Sequence, residues 1–217
     1  YNTDIVLQEE IVMGKDVNIG EIEKEWSREG FQNMHSEARR QIRDYMWELD
    51  VRRKKKNGYG VIRYMEDRMK TPESIAEKLQ RKSYPVDFQT AVEKLNDISG
   101  VRVICYSLKE VYWVAKQIAR DEQYTIVKFK DYIRKPKKSG YESYHLVLEV
   151  PVKAEDGIAS VRVELQLRTI IMDAWTTVDN RISYKKSASE EMTKRVEKYA
   201  KIGRRLDKLI QRTLDEM

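Results

Sequence analysis

Between residues 19 and 53 the apolar positions recur mostly four apart. Ile22, Trp26, Met34, Ala38, Ile42, Tyr45 and Leu49 fall on one stripe of a helix with 3.6 residues per turn. Gly30 interrupts the stripe and marks a break between two helices. The cations from Arg52 to Lys56, followed by Gly58, read as a helix end with positive charge at the negative pole of the backbone dipole. A further helix is expected over residues 64–70. Thr71-Pro72-Glu73 opens the next one, with Thr71 as its cap and Pro72 in the first turn.

The period then shortens to two. Residues 101–107, 124–129, 144–150 and 160–167 are rich in Val, Ile, Leu and Tyr and read as strands, with a helix over 108–121 between the first two. The last two strands are joined by a short segment containing Asp156-Gly157, which suggests a hairpin. Helix returns after Thr169, and Met192, Val196, Tyr199, Ile202, Leu206, Leu209 and Thr213 form a long amphipathic stripe. The pattern predicts an α+β fold, a mixed central sheet flanked by helices, with helical N- and C-terminal extensions. One domain is expected over 1–217, with N-terminal helices in 19–60, a core in 61–185 and a terminal helix in 188–217.

Composition narrows the class. The chain has 217 residues, 41% hydrophobic and 36% charged, so it can bury a core, and its periodic segments argue against disorder. A net charge of +6 favours anionic partners without separating nucleotides from nucleic acid. The single cysteine, Cys105, excludes an internal disulfide framework or a thiolate cluster and suits a reducing, cytoplasmic compartment. No stretch reaches the roughly 18 apolar residues of a membrane span, and no secretory signal is visible. The chain begins at Tyr1, so a segment before it is expected to be missing.

Alternation places Arg162, Glu164, Gln166 and Arg168 on one face of their strand and Val161, Val163, Leu165 and Leu167 on the other. Likewise Ser143, His145, Val147 and Glu149 oppose Tyr144, Leu146, Leu148 and Val150. Paired, the two polar faces would merge into one surface of carboxylate, amide, imidazole and guanidinium; a sheet with one wet face is the plainer account. Just before it, residues 130–141 carry five cations around Pro136 and Gly140. Pro136 stiffens this loop and Gly140 permits a left-handed turn or close approach to a ligand, so the loop could clamp phosphates and offer Tyr141 for stacking. A solvated basic loop is the alternative. Asp97 stands where a carboxylate can hold a metal beside the sheet, although Asp-x-x-Gly is more often a turn. Arg68 and Lys70 precede a helix start, whose free N–H groups favour anions.

Taken in order, Arg68-x-Lys70-x-x-x-Ser74, Asp97-Ile-x-Gly-x-Arg102, Lys137-x-x-Gly140-Tyr141-x-Ser143-x-His145 and Glu164-x-Gln166-x-Arg168-Thr169 resemble the synthetase domain of RelA/SpoT-type alarmone synthetases. With no hydrolase region before these motifs and no long tail after them, the expected type is a stand-alone small synthetase. The resemblance implies that Arg68 and Arg102 sandwich the adenine of ATP while Lys70 and Ser74 hold its phosphates. It implies Asp97 and Glu164 as ligands of Mg²⁺, with Glu164 also activating the acceptor 3′-hydroxyl. Tyr141 would stack on the guanine of GDP or GTP. Lys137, Gly140, Ser143 and His145 would lie about the acceptor, and Gln166 and Arg168 would support the arrangement. The reaction implied is attack of the 3′-hydroxyl on the β-phosphorus of ATP with loss of AMP, in which positioning and charge neutralisation supply most of the catalysis.

Two departures stand out. Asp173 follows Met172 where the family often has Asn, which places a carboxylate near the acceptor base, and Asp179-Asn180 replaces Glu-His. Two other outcomes stay open. One is pyrophosphorylation of the tRNA 3′ end, with Arg52 to Lys56 and the last helix contacting the RNA backbone; the other is a silent nucleotide- or RNA-binding regulator. Apolar stripes on the terminal helices suggest a homo-oligomer, and the resemblance implies a tetramer. Cys105, Trp113 and Trp175 are expected in the core, Trp26 and Trp47 in packing, and His35 on the surface. Glu149 shares the His145 face and matches no motif.

Overall fold

The structure, a computed structural model, describes residues 19–154, 157–184 and 189–216. Seven helices and five strands lie in these residues: α1 (Ile19–Trp26), α2 (Glu29–Asn57), β1 (Ile62–Met69), α3 (Pro72–Arg81), α4 (Phe88–Lys94), β2 (Ser99–Cys105), α5 (Leu108–Ile118), β3 (Thr125–Asp131), β4 (Tyr144–Ala154), β5 (Gly157–Thr169), α6 (Ile170–Tyr184) and α7 (Glu190–Asp215). The sheet order is β1-β2-β5-β4-β3, with only β2 and β5 parallel. This is the mixed sheet of the expected α+β class. Ala154 pairs with Gly157 across the β4–β5 hairpin; Asp156 of the expected turn lies outside the described residues.

The chain divides into two compact units. Among the described residues the smaller comprises 19–32 and Lys70–Leu95. In it the Trp26 indole donates to the Lys70 carbonyl at 2.9 Å, Phe31 meets Phe88 edge-on, and Ile22, Ile75 and Leu79 are buried. Thr71 accepts from Ser74 N–H and caps α3, as its sequence predicts. The larger unit, Asn33–Met69 with the described residues from Asn96 onward, holds the sheet. Ala38, Ile42, Met46 and Leu49 of α2 and Val111, Val114 and Ile118 of α5 pack on Val101, Val103, Leu146, Leu148, Val163, Leu165 and Leu167. The opposite face of those strands carries mostly polar side chains, with Val147 and Ile104 among them. No helix among the described residues is long and apolar enough to cross a membrane.

Four expectations are corrected. Residues 64–69 belong to strand β1 rather than a helix and Lys70 follows it: so short a segment fits either period, and antiparallel pairing of Met65 with Val103 and Arg68 with Gly100 decides between them. His35 is buried, not at the surface. Its Nδ1 is hydrogen-bonded to the Ser99 hydroxyl at 2.8 Å, which also accepts from Arg39, and burial with the nearby Arg39 charge pulls the imidazole down to about 4. Trp47 is 62% exposed rather than packed inside. On α7 the buried line is Val196, Ala200 and Asp207, while Tyr199, Ile202, Leu206 and Leu209 of the apolar stripe face outward. Small residues account for that inversion: a Cβ on Gly203 would stand 3.0 Å from Ile171 Cγ2, so this face of α7 lies close against α6.

Candidate functional site

Register lays two rows of side chains across the polar face. One runs Glu66, Arg102, Gln166, His145, Lys130 and the next Arg68, Gly100, Glu164, Val147, Lys128. Each row crosses all five strands, so residues far apart in sequence meet because neighbouring strands lie about 4.8 Å apart.

On this face five side chains close a ring of hydrogen bonds. Arg168 Nη2 donates to the Tyr141 hydroxyl at 2.9 Å and to Gln166 Oε1 at 3.0 Å. The Gln166 amide donates to Glu164 Oε2 at 2.7 Å. A carboxylate oxygen accepts, so His145 Nδ1 donates to Glu164 Oε1 at 3.2 Å and its Nε2 takes the proton of the Tyr141 hydroxyl, 2.9 Å away; the tautomer is assigned from this network. Each Glu164 oxygen accepts one bond of the ring. A carboxylate offers about four acceptor positions, so the ring orients Glu164 and is compatible with a metal ion or a hydroxyl in contact with it.

A second cluster adjoins the ring. Thr169 accepts from Met172 N–H and so starts α6 directly after β5, which brings Asp173 back to Arg168. Arg168 Nη1 donates to Asp173 Oδ1 at 3.1 Å, Tyr64 donates its hydroxyl to Oδ2, and Arg102 Nη1 lies 3.6 Å from Oδ1. Burial, with Asp173 beside it, pushes the Tyr64 phenol up to about 12. Burial, and Arg168 close by, lower the Arg102 guanidinium from its ordinary value, partly offset by Asp173 and by Glu66 at 3.1 Å.

The basic loop folds back on Tyr141. Gly140 N–H donates to the Lys137 carbonyl at 2.9 Å, and Lys137 Nζ lies 4.6 Å from the Tyr141 ring centre and 4.9 Å from that of Tyr132. Gly140 has φ +91°, and a Cβ there would stand 2.5 Å from the Ala200 Cβ. The close approach foreseen at Gly140 is therefore to α7. Ser143 is fully buried and donates to the Leu167 carbonyl at 3.1 Å, which ties β4 to β5 beneath the loop.

Thus the sheet brings together Arg68, Arg102, Tyr141, His145, Glu164, Gln166, Arg168 and Asp173, with Lys137 over Tyr141. Asp97 is half-buried and precedes Gly100, the register partner of Glu164, by three residues. Lys70 and Ser74 belong to the smaller unit, at the start of α3. Tyr64, Glu66 and Tyr132 were not foreseen. The alternation Tyr64, Glu66, Arg68 was the available signal for the first two, and the flanking Lys130 and Lys137 for Tyr132. Among the described residues no three His, Cys, Asp or Glu side chains gather as a closed metal site. Two hard carboxylates, Asp97 and Glu164, suit a cation that takes its other ligands from phosphate and water.

Residues 67–189 match the family described as a region found in RelA / SpoT proteins. The chain is 37% identical over 153 residues to the GTP pyrophosphokinase YwaC of Bacillus subtilis, covering 70% of this chain and 73% of that protein. It is 34% identical over 148 residues to the GTP pyrophosphokinase YjbM of the same organism, covering 67% and 69% respectively. The fold superposes on small alarmone synthetase 1 from B. subtilis, bound to its product pppGpp, with a TM-score of 0.81 and 29% identity over 89% of this chain and 98% of that one. The chain belongs to the RelA/SpoT family.

Proposed function

We propose, from this membership and from the site, that the chain makes (p)ppGpp-type alarmones, moving the diphosphate of ATP to the ribose 3′-hydroxyl of GDP or GTP. The closed ring around Glu164 is the observation that carries the mechanism. A bond forms from the acceptor oxygen to the β-phosphorus, the bond from that phosphorus to the oxygen bridging the α-phosphate breaks, and AMP leaves. Glu164 takes the hydroxyl proton, held toward the acceptor by His145 and Gln166. A carboxylate fixed before substrate arrives needs little reorganisation during transfer.

Arg68 and Arg102 are diagonal neighbours on adjacent strands. Such diagonal positions are roughly 7–8 Å apart, about twice a stacking distance, which suits one base between two guanidiniums. Gly100, beside Arg68, leaves the strip toward Glu164 without a side chain. Tyr141 takes the acceptor base, with Lys137 in reach of its phosphates. Lys70 and Ser74 keep the donor-phosphate role their motif implies. Asp173 holds Arg102 and Arg168 in place, since three donors already engage it. Asp97 and Glu164 would hold Mg²⁺, which when bound supplies charge neutralisation on the phosphate oxygens. The outward stripe of Tyr199, Ile202, Leu206 and Leu209 supports a homo-oligomer through α7, and a monomeric mass by light scattering would refute that assembly.

The test supplies purified protein with Mg²⁺, γ-labelled ATP and GDP, GTP or uncharged tRNA, beside a Glu164→Gln control. Label passing to GDP or GTP, and lost in the control, is the expected result. Label on tRNA alone would make the chain an RNA pyrophosphokinase, and nucleotide binding without AMP release would make it a regulator.

A further inference from the structure

A second charged cavity lies on the helix-covered side of the sheet. It is a cleft of about 480 Å³ between the C-terminal turns of α2 and the end of α5. Tyr45, Leu49 and Trp113 form its apolar and aromatic wall. Arg52, Arg53, Lys56 and Arg120 bring four cations to it, against the single carboxylate of Asp121. Asp121 is itself occupied by the Tyr45 hydroxyl, whose pKa it helps to raise after burial.

Cations nearer the start of α2 are paired with carboxylates. Arg40 pairs with Glu37 and Asp44 at 2.7 Å, and Arg39 and Arg43 both pair with Asp67. Among the described residues Arg52, Arg53, Lys56 and Arg120 make no ion pair within 4 Å and no side-chain hydrogen bond. The Arg53 guanidinium lies 5.0 Å from the centre of the Trp113 ring, and its Nε is shielded from solvent without a partner. Glu110 also feels the Arg53 charge, and burial raises its carboxyl from its ordinary value. Compensation of the helix ends accounts for cations at this place. It requires neither a cavity nor an aromatic wall.

We propose that this cleft is a second binding site, taking a nucleoside di- or triphosphate with its phosphates on the arginines and its planar group against Tyr45 and Trp113. Guanidinium forks match phosphate oxygens in pairs, and the cleft falls in the size range of small-ligand pockets. Its walls come from α2 and α5, on the opposite side of the core strands from the ring around Glu164, so the site does not depend on the synthetase reading.

Calorimetric titration of the intact protein with UTP tests this, with inorganic tripolyphosphate as a second probe. The double variant Arg53→Ala/Arg120→Glu should lose one equivalent of bound UTP, or weaken it at least tenfold. Its basal synthetase kcat/KM should stay within about twofold of the parent. Because Arg120 is exposed, the single Arg120→Glu variant keeps the test valid if the double variant is poorly folded, and Lys116→Ala on the outer side of α5 should change nothing. Trp113→Phe should remove a UTP-dependent change in tryptophan fluorescence. Unchanged stoichiometry and affinity in a folded Arg120→Glu variant would overturn the site. Equal affinity for tripolyphosphate and UTP would overturn the stacking of a planar group.

Discussion

Gly100→Val separates stability from activity at this site. Gly100 sits in β2 with Arg68 on one side and Glu164 on the other in register. A Cβ there would meet only the Glu164 carbonyl, at 3.7 Å, an ordinary contact, and its φ is not in the left-handed region. The backbone should therefore accept Val, a strong strand former, with stability unchanged or raised by up to about 1 kcal/mol. The branched side chain would occupy the strip where the adenine is proposed to lie between Arg68 and Arg102. Two guanidinium–base stacks at about 1–2 kcal/mol each amount to about 2–4 kcal/mol. At about 1.4 kcal/mol per tenfold, kcat/KM for ATP should fall roughly 30- to 1,000-fold. AMP release measured over a range of ATP at fixed GDP, with a melting curve on the same preparation, reads both quantities. A variant as stable as the parent that keeps its kcat/KM for ATP would refute this placement of the adenine.

Three further outcomes follow from the geometry. His35, held at about 4 against an ordinary 6.5, stays neutral while the unfolded chain takes up a proton, so native stability falls as pH drops through that window, by at most about 3 kcal/mol. Asp207, lifted to about 6 by burial from an ordinary 3.8, has the opposite sign and gains stability as pH falls through its own window. Urea melts at neutral and mildly acid pH should therefore show acidification harming the parent more than His35→Gln and less harmful to the parent than to Asp207→Asn; identical slopes would sink the assignment. Gly140→Ala meets both φ +91° and the Ala200 Cβ at 2.5 Å, so it should cost about 1–3 kcal/mol and raise the acceptor KM more than the ATP KM. Partial recovery by Ala200→Gly would show that the contact with α7 matters. Asp173→Asn removes the charge paired with Arg168, a side chain only 3% exposed, and should cost about 3 kcal/mol in a denaturant melt. A spectroscopic titration should also find the Tyr64 phenol below about 12 in that variant.

Much of the candidate site was legible in the sequence because strand alternation is a local property. Arg162, Glu164, Gln166 and Arg168 share a face of β5 whatever surrounds it, and His145 joins them once β4 pairs in the register seen. The Thr71 cap and the left-handed Gly58 and Gly140 were likewise set by local backbone chemistry. The segment 64–69 was not, because so short a segment satisfies both periods and only the open edge of β2 selects a strand.

What the sequence determined by itself was which side chains travel together on one element and which residue types could handle phosphate. Tertiary structure decided which face each element buries and which separate elements meet. His35 went inside because Ser99 of β2 stands there to satisfy it. The apolar stripe of α7 stayed outside because Ala200 and Gly203 let the opposite face lie closer. The ring from Tyr141 through Glu164 to Arg168 closed only when a loop and two strands converged. Periodicity records the order of positions around one axis; burial and hydrogen bonding depend on distances between axes, which no single segment contains.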